Sequence, residues 1–454
     1  MERKLVSPVL MVGGGVTGTA VAELYCESGL DLDVIDDRPT LEMEEKFRRL
    51  GFDVFLSPEG DDQDKWRELL SSVERTIVSP GIPASHPVYS MSAMMDIDIM
   101  SEIELAGEIS EVPILAITGT NGKTTITTLV SRMLNESGIN SVACGNIGEP
   151  LVRAAKSAKS QGTQFLIAEV SSFQLALTKT FHPHIGLWCN LGEDHLDWHP
   201  DFDHYRNSKA KIWENLDKSD IAVANADDPM VLKSLSRLNK ECITLTYGYK
   251  SKDYRVVNND LMTPTGEVIV SIDELKKNSI TDISNALAAC AMSLEAGCDI
   301  NSCKKVLKDF VGLSHRVEHI SDFGGIEWID DSKATTPSAV LAALKGRSNV
   351  VLIAGGRNKG LDLSVLRQGG NSIYGVIAIG ESQDQIVDAF AGLDMAIERA
   401  NSMEEAVKKA RGISSPGMTV MLSPGTASFD WYSSYAERGD DFKKCVQCVA
   451  EVEL

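Results

Sequence analysis

The chain has 454 residues, of which 43% are apolar and 24% are charged, and its formal net charge is −21. This length suggests about three domains of roughly 150 residues each, and the composition excludes a disordered or fibrous chain. Because no block is rich in lysine and arginine, a charge this negative argues against nucleic acid as a partner. An anionic small ligand would need helix N-termini, a few basic residues and a divalent cation.

The N-terminal segment "MERKLVSPVLMVGGGVTGTAVA" has the basic start and apolar stretch of a secretory signal. Gly13 to Gly15 interrupt it where a signal helix would continue, so we predict a first β-strand that ends in a glycine turn. No other apolar run reaches the ~18 residues of a membrane helix. Nine cysteines without an export signal indicate reduced thiols in the cytosol. Cys445 and Cys448 of "CVQC" are expected on a terminal helix rather than in a zinc site.

The first hundred residues alternate short apolar runs with longer amphipathic ones, which predicts a parallel α/β domain. Its opening turn has the spacing Gly13-x-Gly15-x-x-Gly18, and Asp36 and Asp37 follow about twenty residues later, as in a dinucleotide-binding fingerprint. A match of this kind also describes a tight turn between a strand and a helix. The residues therefore leave a phosphate-bearing ligand and a purely structural turn open.

A second α/β unit begins where the apolar run "VPILAIT" leads into "GTNGKTT" and an amphipathic helix. Gly119 and Gly122 let backbone N–H groups converge on phosphate oxygens, Lys123 adds positive charge, and the Thr124 hydroxyl suits Mg²⁺. Ile117 stands where the usual phosphate loop has its first glycine. The strand-loop-helix context still predicts a triphosphate site.

Three further stretches carry candidate chemistry: "GNIG", "LIAEVSSFQL" and "LGEDHLDWHPDFDHYRNSKAKIW". Glu169 at the end of a strand, followed by serine hydroxyls, suits a Mg²⁺ ion facing a phosphate loop, although a solvated strand end would look the same. His195, His199 and His204 have zinc-like spacing. We favour an oxygen-ligand site assisted by one histidine, because Pro200 interrupts the helix that a zinc site would need.

The motifs "GTNGKTT", "GNIG", "EVSSFQL", "EDHLDWH" and "YRNSKAK", in this order, resemble those of the Mur ligases, the ATP-dependent amide-forming enzymes of peptidoglycan precursor synthesis. The segments "GGGVTG", "DDRP", "HRVE", "DDSKATTPSA", "GGRNKG" and "SPGTASFDWYSSYAERGDDF" are similar to the branch that adds D-glutamate to UDP-N-acetylmuramoyl-L-alanine. The resemblance covers essentially the whole chain. It implies an acyl phosphate intermediate, with ADP and phosphate as products.

The resemblance also implies an α/β fold of three domains. Residues 1–104 would form a Rossmann-like domain for the UDP end, and residues 105–312 a central P-loop ATPase-type domain. Residues 313–454 would form a Rossmann-like domain that binds the amino acid and part of ATP.

Site residues follow from the resemblance, position by position. The catalytic residues would be Lys123, Glu169, His195 and Lys209. The ATP contacts would be Gly119, Thr120, Asn121, Gly122, Lys123, Thr124, Thr125, Asn285, Arg316, Asp331 and Lys333. The UDP-sugar contacts would be Gly15, Val16, Thr17, Asp37, Arg38, Ser79, Gly81, Asn146, Ser171 and His195. The D-glutamate contacts would be Thr335, Lys359, Ser428, Phe429 and Tyr435. Two Mg²⁺ ions would be held by Thr124, Glu169, His195 and Lys209.

Lys209 has two different interpretations. From the residues alone it is an ordinary exposed helix lysine. The resemblance instead implies that CO₂ carbamylates it, which turns a cation into an anionic oxygen ligand for Mg²⁺. The sequence departs from the family upstream of Asn285, where "SITDIS" replaces the usual histidine-asparagine pair.

The expected partners are UDP-N-acetylmuramoyl-L-alanine, D-glutamate and ATP, with the chain acting as a cytoplasmic monomer and without membrane insertion. Two other functions compete with this interpretation. A folylpolyglutamate synthetase would share the central loop, and a nicotinamide-dependent dehydrogenase would use Gly13 to Gly18. A non-catalytic nucleotide-binding protein would leave the candidate metal groups without a role.

Overall fold

A computed structural model describes residues 5–60, 62–192, 194–195, 198–238, 241–358 and 360–453. The chain divides into two compact units, Met1–Phe310 and Val311–Leu454. The first unit contains two parallel sheets and a small antiparallel one, and the second contains one mixed sheet. The α/β prediction is therefore confirmed. None of the described helices combines the length and the apolar composition needed to cross a membrane.

The N-terminal sheet has five parallel strands in the order β3-β2-β1-β4-β5. The strands are Val9–Val12 (β1), Leu32–Asp36 (β2), Val54–Leu56 (β3), Arg75–Val78 (β4) and Asp98–Ser101 (β5). The helices are Val16–Ser28 (α1), Leu41–Arg49 (α2), Gln63–Ser71 (α3) and Pro87–Met94 (α4). All of β1 is buried, as expected of a central parallel strand without polar alternation. The predicted first strand, ending at the glycine turn, is confirmed.

Helix α5 (Glu102–Ile109) leads from this sheet into the next, and two buried acidic side chains anchor it. Glu102 accepts a hydrogen bond from the backbone N–H of Val152, at a distance of 2.6 Å. Glu104 accepts hydrogen bonds from the backbone N–H groups of Thr180 and Phe181, at 2.6 and 3.0 Å. Both carboxyl groups thus satisfy backbone donors that would otherwise be buried without partners.

We expect Glu102 to make stability depend on pH. Burial raises its pKa from 4.5 to about 7. As the pH rises, Glu102 loses its proton in the unfolded chain near pH 4.5 but in the folded protein only near pH 7. Its contribution to the free energy of unfolding is therefore complete below about pH 4.5 and decreases by up to ~3 kcal/mol as the pH rises to about 7. In Glu102→Gln this decrease should disappear. Urea unfolding of both proteins at pH 5 and pH 8 measures it, with the exposed Glu42→Gln as a control. Equal pH dependence in wild type and Glu102→Gln would contradict the prediction.

The central sheet has six parallel strands in the order β11-β10-β9-β6-β8-β7. They are Ile114–Thr118 (β6), Ser141–Gly145 (β7), Phe165–Glu169 (β8), Ile185–Trp188 (β9), Ile221–Asn225 (β10) and Ile243–Tyr247 (β11). The helices are Lys123–Glu136 (α6), Leu151–Ala158 (α7), Ser172–Ala176 (α8), Phe202–Ala210 (α9), Pro229–Ser236 (α10), Ile280–Glu295 (α11) and Ile300–Asp309 (α12). Strands Arg255–Val257 (β12), Asp260–Met262 (β13) and Val268–Ser271 (β14) form the small antiparallel sheet.

The central strand β6 is buried along its whole length between β8 and β9. Helix α6, which follows it, packs against α11 and α12. The carboxyl ends of parallel strands meet at one edge of a sheet, so the residues after β6, β8 and β9 are brought together there.

The second unit has a six-stranded sheet in the order β15-β16-β20-β17-β18-β19. Its strands are Glu318–Phe323 (β15), Ile326–Asp330 (β16), Val350–Gly355 (β17), Ile373–Ile379 (β18), Ala396–Ala400 (β19) and Thr419–Leu422 (β20). Among the described strands of this sheet, only the β15–β16 pair is antiparallel. The helices are Pro337–Leu344 (α13), Gln383–Phe390 (α14), Met403–Ile413 (α15) and Tyr435–Glu453 (α16). The predicted terminal helix for "CVQC" is confirmed, with Cys445 buried and Cys448 exposed on α16.

Candidate active site

The loop between β6 and α6 can only be built with glycine at two positions. Gly119 and Gly122 have φ values of 156° and 86°. A Cβ atom on Gly119 would lie 2.1 Å from the sulfur of Cys189, and one on Gly122 would lie 2.5 Å from Oδ1 of Asn285. The positive φ values disfavour larger residues at both positions, and the close approach to Cys189 adds to the cost at Gly119. The contact also brings Asn285, predicted to contact ATP, against this loop.

Side chains within the first unit hold the loop in its shape. Asn190 accepts hydrogen bonds at Oδ1 from the backbone N–H groups of Thr120 and Asn121, at 3.0 and 2.8 Å. The ammonium group of Lys123 donates to the carbonyl oxygens of Gly119 and Thr120, at 2.8 and 3.0 Å. Thr125, on the first turn of α6, is buried. The loop is thus ordered by its own protein contacts.

Lys209 lies at the same loop and is only 2% exposed. Its amine donates to the carbonyl oxygen of Gly119 at 2.9 Å and lies 4.7 Å from the centre of the Tyr205 ring. Burial, and secondly the charge of Lys123, hold its pKa well below the ordinary value of 10.5. The interpretation of Lys209 as an exposed helix lysine is therefore wrong, because its face of α9 packs inward.

Glu169 ends β8 as a buried carboxylate with one unused oxygen. Its Oε1 accepts a hydrogen bond from Nδ2 of Asn146 at 3.1 Å. Its Oε2 is buried without a hydrogen-bond partner in the part of the chain that the structure describes. A buried anionic oxygen of this kind is costly unless a cation meets it. Oxygen of a carboxylate is also the ligand that Mg²⁺ prefers, so the residue fits such an ion.

The serine and histidine candidates lie beside α8. Ser171 caps this helix, exchanging hydrogen bonds with Gln174. His195 has a φ of 57°, and its ring contacts that of Phe173 at 4.6 Å between centres. Thr124, like His195, makes contacts within the protein. These groups border the same edge of the central sheet.

The three histidines do not share one helix. His195 and His199 precede α9, and only His204 lies on it, because the helix begins at Phe202 after Pro200. Nδ1 of His199 lies 2.8 Å from Nδ1 of His204, and its Nε2 lies 2.9 Å from Oγ of Ser172. Both His199 nitrogens are therefore engaged in hydrogen bonds rather than directed together with His195 at one point.

The N-terminal glycine turn is organised by Asp36 rather than by Asp37. Oδ2 of Asp36 accepts the backbone N–H of Gly14 at 2.8 Å, and its Oδ1 accepts that of Arg38. Oδ1 of Asp37 is hydrogen-bonded to Nε2 of His86 at 3.0 Å. Ser79, which directly follows the neighbouring strand β4, donates from its hydroxyl to the Gly13 carbonyl at 3.1 Å. The remaining candidates on this side are Gly15, Val16, Thr17 and Gly81, of which Val16 is 66% exposed.

Asp331 is the most constrained candidate of the second unit. Burial raises its pKa to about 7, although its carboxyl accepts hydrogen bonds from Ser423 Oγ at 2.7 Å and from Val317 N–H at 3.1 Å. Arg316 lies close enough to act electrostatically on it. Its charge therefore depends on the cations near it.

The remaining described candidates of the second unit lie on its loops or, for Tyr435, at the start of α16. Lys333 places its ammonium 5.4 Å from the centre of the Tyr435 ring. Phe429 and Tyr435 are 52% and 37% exposed, so neither is a core aromatic, whereas Ser428 is buried. Thr335 follows Lys333 and is half-buried. Lys359 lies outside the described residues.

The sequence is similar to proteins of known function along its whole length. It is 35% identical over 455 residues to the UDP-N-acetylmuramoylalanine–D-glutamate ligase of Desulfosudis oleivorans, covering 98% of this chain and 96% of that protein. The chain belongs to the Mur ligase family. The family's MurD-like N-terminal domain matches residues 7–101, its middle domain 117–293 and its glutamate ligase domain 315–425. The ligase of the same name from Aquifex aeolicus is 34% identical, covering 87% of this chain and 93% of that protein.

Solved structures of other Mur ligases share the fold. The UDP-N-acetylmuramate-alanine ligase MurC of Thermotoga maritima aligns with a TM-score of 0.58 at 18% identity, covering 97% of this chain and 99% of that one. MurF of the same organism, solved in complex with ADP, aligns with a TM-score of 0.58 at 15% identity, covering 94% and 91%. The three-domain α/β architecture is thus that of the Mur ligases.

Arg438 is a residue of this Mur ligase that the sequence analysis missed. It is 1% exposed, and its guanidinium donates to the carbonyl oxygens of Ser332 and Thr426, at 2.8 and 3.2 Å, and to the Ser332 hydroxyl at 3.0 Å. It therefore ties the loop carrying Asp331 and Lys333 to the loop carrying Ser428. An arginine in the first turn of the terminal helix α16 gave no local signal of this role.

We expect Arg438→Lys to destabilise the second unit by about 1–3 kcal/mol, because an ammonium cannot bridge both loops as the planar fork does. Denaturant unfolding measures this loss, and the exposed Lys408→Arg on α15 is the matched control. An unchanged denaturation midpoint for Arg438→Lys would show that the two loops do not depend on the guanidinium group of Arg438.

Proposed function

We propose that this Mur ligase joins D-glutamate to the carboxylate of UDP-N-acetylmuramoyl-L-alanine at the expense of ATP, in peptidoglycan precursor synthesis in the cytoplasm. The names of its relatives support the substrates. The observation that carries the proposal is the position of Lys209, whose amine lies 2.9 Å from the carbonyl oxygen of Gly119 in the phosphate loop.

The difficulty of the reaction determines what the site must do. A carboxylate does not accept an amine near neutral pH, because oxide is too poor a leaving group. Transfer of the ATP γ-phosphoryl group to this carboxylate makes an acyl phosphate. The amine of D-glutamate then attacks the acyl carbon, and phosphate leaves as the amide forms.

The first step opposes several negative charges, so positioning and positive charge dominate its catalysis. The phosphate loop from Gly119 to Thr124 would hold the triphosphate, with Lys123 turning from the loop carbonyls toward it. Thr124 with Glu169, and His195 with Lys209, would hold two Mg²⁺ ions, which supply further positive charge. Thr120, Asn121, Thr125 and Asn285 complete the proposed ATP contacts of the first unit.

Lys209 can take part in this only in a modified form, because an ammonium has no lone pair for a metal. A lysine amine with a depressed pKa is uncharged more often, and an uncharged amine attacks CO₂. As the N–C bond forms, one C=O π bond of CO₂ opens and the nitrogen loses a proton, which gives a carbamate whose two oxygens share one negative charge. The burial of Lys209 and the nearby charge of Lys123 support this modification.

The contacts to the other substrates, and the remaining contacts to ATP, are proposed as follows. The turn at Gly15, Val16 and Thr17, with Asp37, Arg38, Ser79 and Gly81, would bind the UDP end, and Asn146, Ser171 and His195 the sugar-peptide. Arg316, Asp331 and Lys333 would contact ATP. Thr335, Lys359, Ser428, Phe429 and Tyr435 would bind D-glutamate. We propose residues 1–104, 105–312 and 313–454 as the corresponding domains, in a chain that acts as a monomer.

Phosphate release from ATP tests the proposal. With UDP-N-acetylmuramoyl-L-alanine present, release should require an amino acid, and D-glutamate should be far more effective than L-glutamate or other D-amino acids. Heavy oxygen placed in the substrate carboxylate should appear in the released phosphate. Release without the label would overturn the acyl phosphate, and no release with D-glutamate would overturn the substrate assignment.

A further inference from the structure

Two histidines and two aspartates converge at the edge of the central sheet away from the phosphate loop. His182 and His184 precede β9, and Asp217 and Asp220 precede β10, so all four lie at the amino ends of strands whose carboxyl ends face the candidate active site. Nε2 of His182 lies 2.5 Å from Oδ2 of Asp220, and Nδ1 of His184 lies 3.1 Å from Oδ1. We call these four residues the histidine-aspartate cluster.

The cluster combines a buried carboxylate with two partly exposed imidazoles. The Asp220 side chain is only 5% exposed, whereas those of His182 and His184 are 44% and 37% exposed. They border a cleft of about 380 Å³, which is also lined by Glu108 and Thr180. A ligand in this cleft would reach both imidazoles and the buried carboxylate.

The spacing of the donor atoms suits a metal ion. Ligand atoms of His182, Asp217 and Asp220 lie within 4.8 Å of one another. Zinc binds histidine nitrogen and carboxylate oxygen at about 2.0–2.2 Å, so two ligands of a tetrahedral ion lie roughly 3.4 Å apart. A rotation of the His182 side chain that opens its contact with Asp220 by about 1 Å reaches this geometry.

Hydrogen bonds already orient the carboxylates as metal ligands are usually oriented. The backbone N–H of Asp217 donates to Oδ2 of Asp220 at 2.8 Å. The backbone N–H and the hydroxyl of Ser219 donate to Oδ1 of Asp217 at 2.8 and 2.7 Å. The two aspartates are therefore held in one turn, facing the histidine loop.

We propose that the histidine-aspartate cluster binds one divalent transition-metal ion of the Zn²⁺ type. His182, Asp217 and Asp220 have the mutual spacing of ligands, and His184, whose Nδ1 lies 3.1 Å from Oδ1 of Asp220, would complete the set. The two carboxylates supply two negative charges, which such an ion balances. A set with two imidazole nitrogens favours zinc, cobalt or nickel over magnesium, which prefers a set made mostly of oxygen ligands. This site is separate from the proposed Mg²⁺ ligands, and it ties the loop before β9 to the loop before β10.

The second unit offers an instructive contrast. His315, Glu318 and Asp330 also lie within metal-ligand spacing. There the ammonium of Lys443 lies 2.8 Å from Glu318 and 3.9 Å from Asp330, so a side-chain cation already balances the carboxylates. In the histidine-aspartate cluster the positive charge would come from the metal.

Titration of the full-length, metal-free protein with Co²⁺ alone tests the proposal. We expect one equivalent to bind with the intense visible absorption of a four-coordinate site, and Zn²⁺ to displace it and to raise the unfolding temperature. His182→Ala and His184→Ala should each weaken Co²⁺ binding by at least about tenfold. The control is His319→Ala, which removes an exposed histidine paired with Asp322 in the second unit.

Two results would overturn the proposal. One is wild-type protein that shows no such absorption with excess Co²⁺. The other is Co²⁺ and Zn²⁺ responses that are the same in wild type, His182→Ala and His184→Ala, which would locate the metal elsewhere. Because both histidines are partly exposed, their variants should fold, and circular dichroism verifies this. Asp220→Asn, which keeps the side-chain shape but removes the charge, provides a third variant with the same expected loss.

Discussion

Replacement of Lys209 by alanine is expected to reduce the ligase rate by on the order of a hundredfold to a thousandfold. The side chain is buried at the phosphate loop, where its amine donates to the carbonyl oxygen of Gly119. If it acts as a carbamate, alanine removes an anionic metal ligand and leaves a cavity of similar size. Acetate or another short carboxylate should enter this cavity and restore part of the activity.

The measurement is phosphate release with and without added carboxylate. Lys233→Ala, which removes an exposed lysine of α10, should keep full activity and show no rescue. Carbon-13 NMR of wild-type protein under labelled CO₂ should show a carbamate signal that Lys209→Ala lacks. Wild-type activity in Lys209→Ala would remove this residue from the site.

Glu169→Gln is expected to reduce the ligase rate by a similar factor, on the order of a hundredfold or more, without destabilising the ligand-free protein. Oε2 of Glu169 is buried without a hydrogen-bond partner in the described part of the chain. Removing the charge therefore removes a Mg²⁺ ligand and also a desolvation penalty. The activity loss should be accompanied by a higher Mg²⁺ requirement.

Kinetics at varied Mg²⁺ concentration tests the predicted loss of a metal ligand. Thermal unfolding without ligands tests the prediction that stability is not reduced. Glu149→Gln, on the loop that follows β7, is a suitable comparison because it neutralises a nearby glutamate outside the proposed ligand set. A variant of Glu169 that loses activity and also much stability would indicate a structural role. Unchanged activity would exclude Glu169 as a ligand.

Local patterns predicted the parts of the site that depend on neighbours in sequence. Residues Ile114 to Glu136 form a strand, a glycine loop and a helix. Their apolar periodicity and their glycines are visible within a short stretch of sequence, so these elements can be predicted from it. The same holds for the glycine turn after β1. The sheet order, by contrast, depends on pairing between distant strands, which no local pattern contains.

The residues that pattern analysis missed act across the fold. Asn190 holds the phosphate loop from 69 residues away, and Arg438 joins two loops of the second unit. The only local signal for Asn190 is a polar side chain just after a buried strand. The residues alone gave the wrong exposure for Lys209, since the inward face of α9 is set by packing against the loop at Gly119.

One carbonyl oxygen, that of Gly119, accepts hydrogen bonds from both Lys123 and Lys209. The two lysines are therefore chemically coupled, and the charge of the first lowers the proton affinity of the second. A neutral substitution of Lys123 would consequently lose more than its own charge, because the pKa of Lys209 would rise, although burial would still lower it, and the amine would react less readily with CO₂. Kinetic defects of such a mutant should then vary with the bicarbonate content of the buffer, a dependence that a simple phosphate contact would never produce.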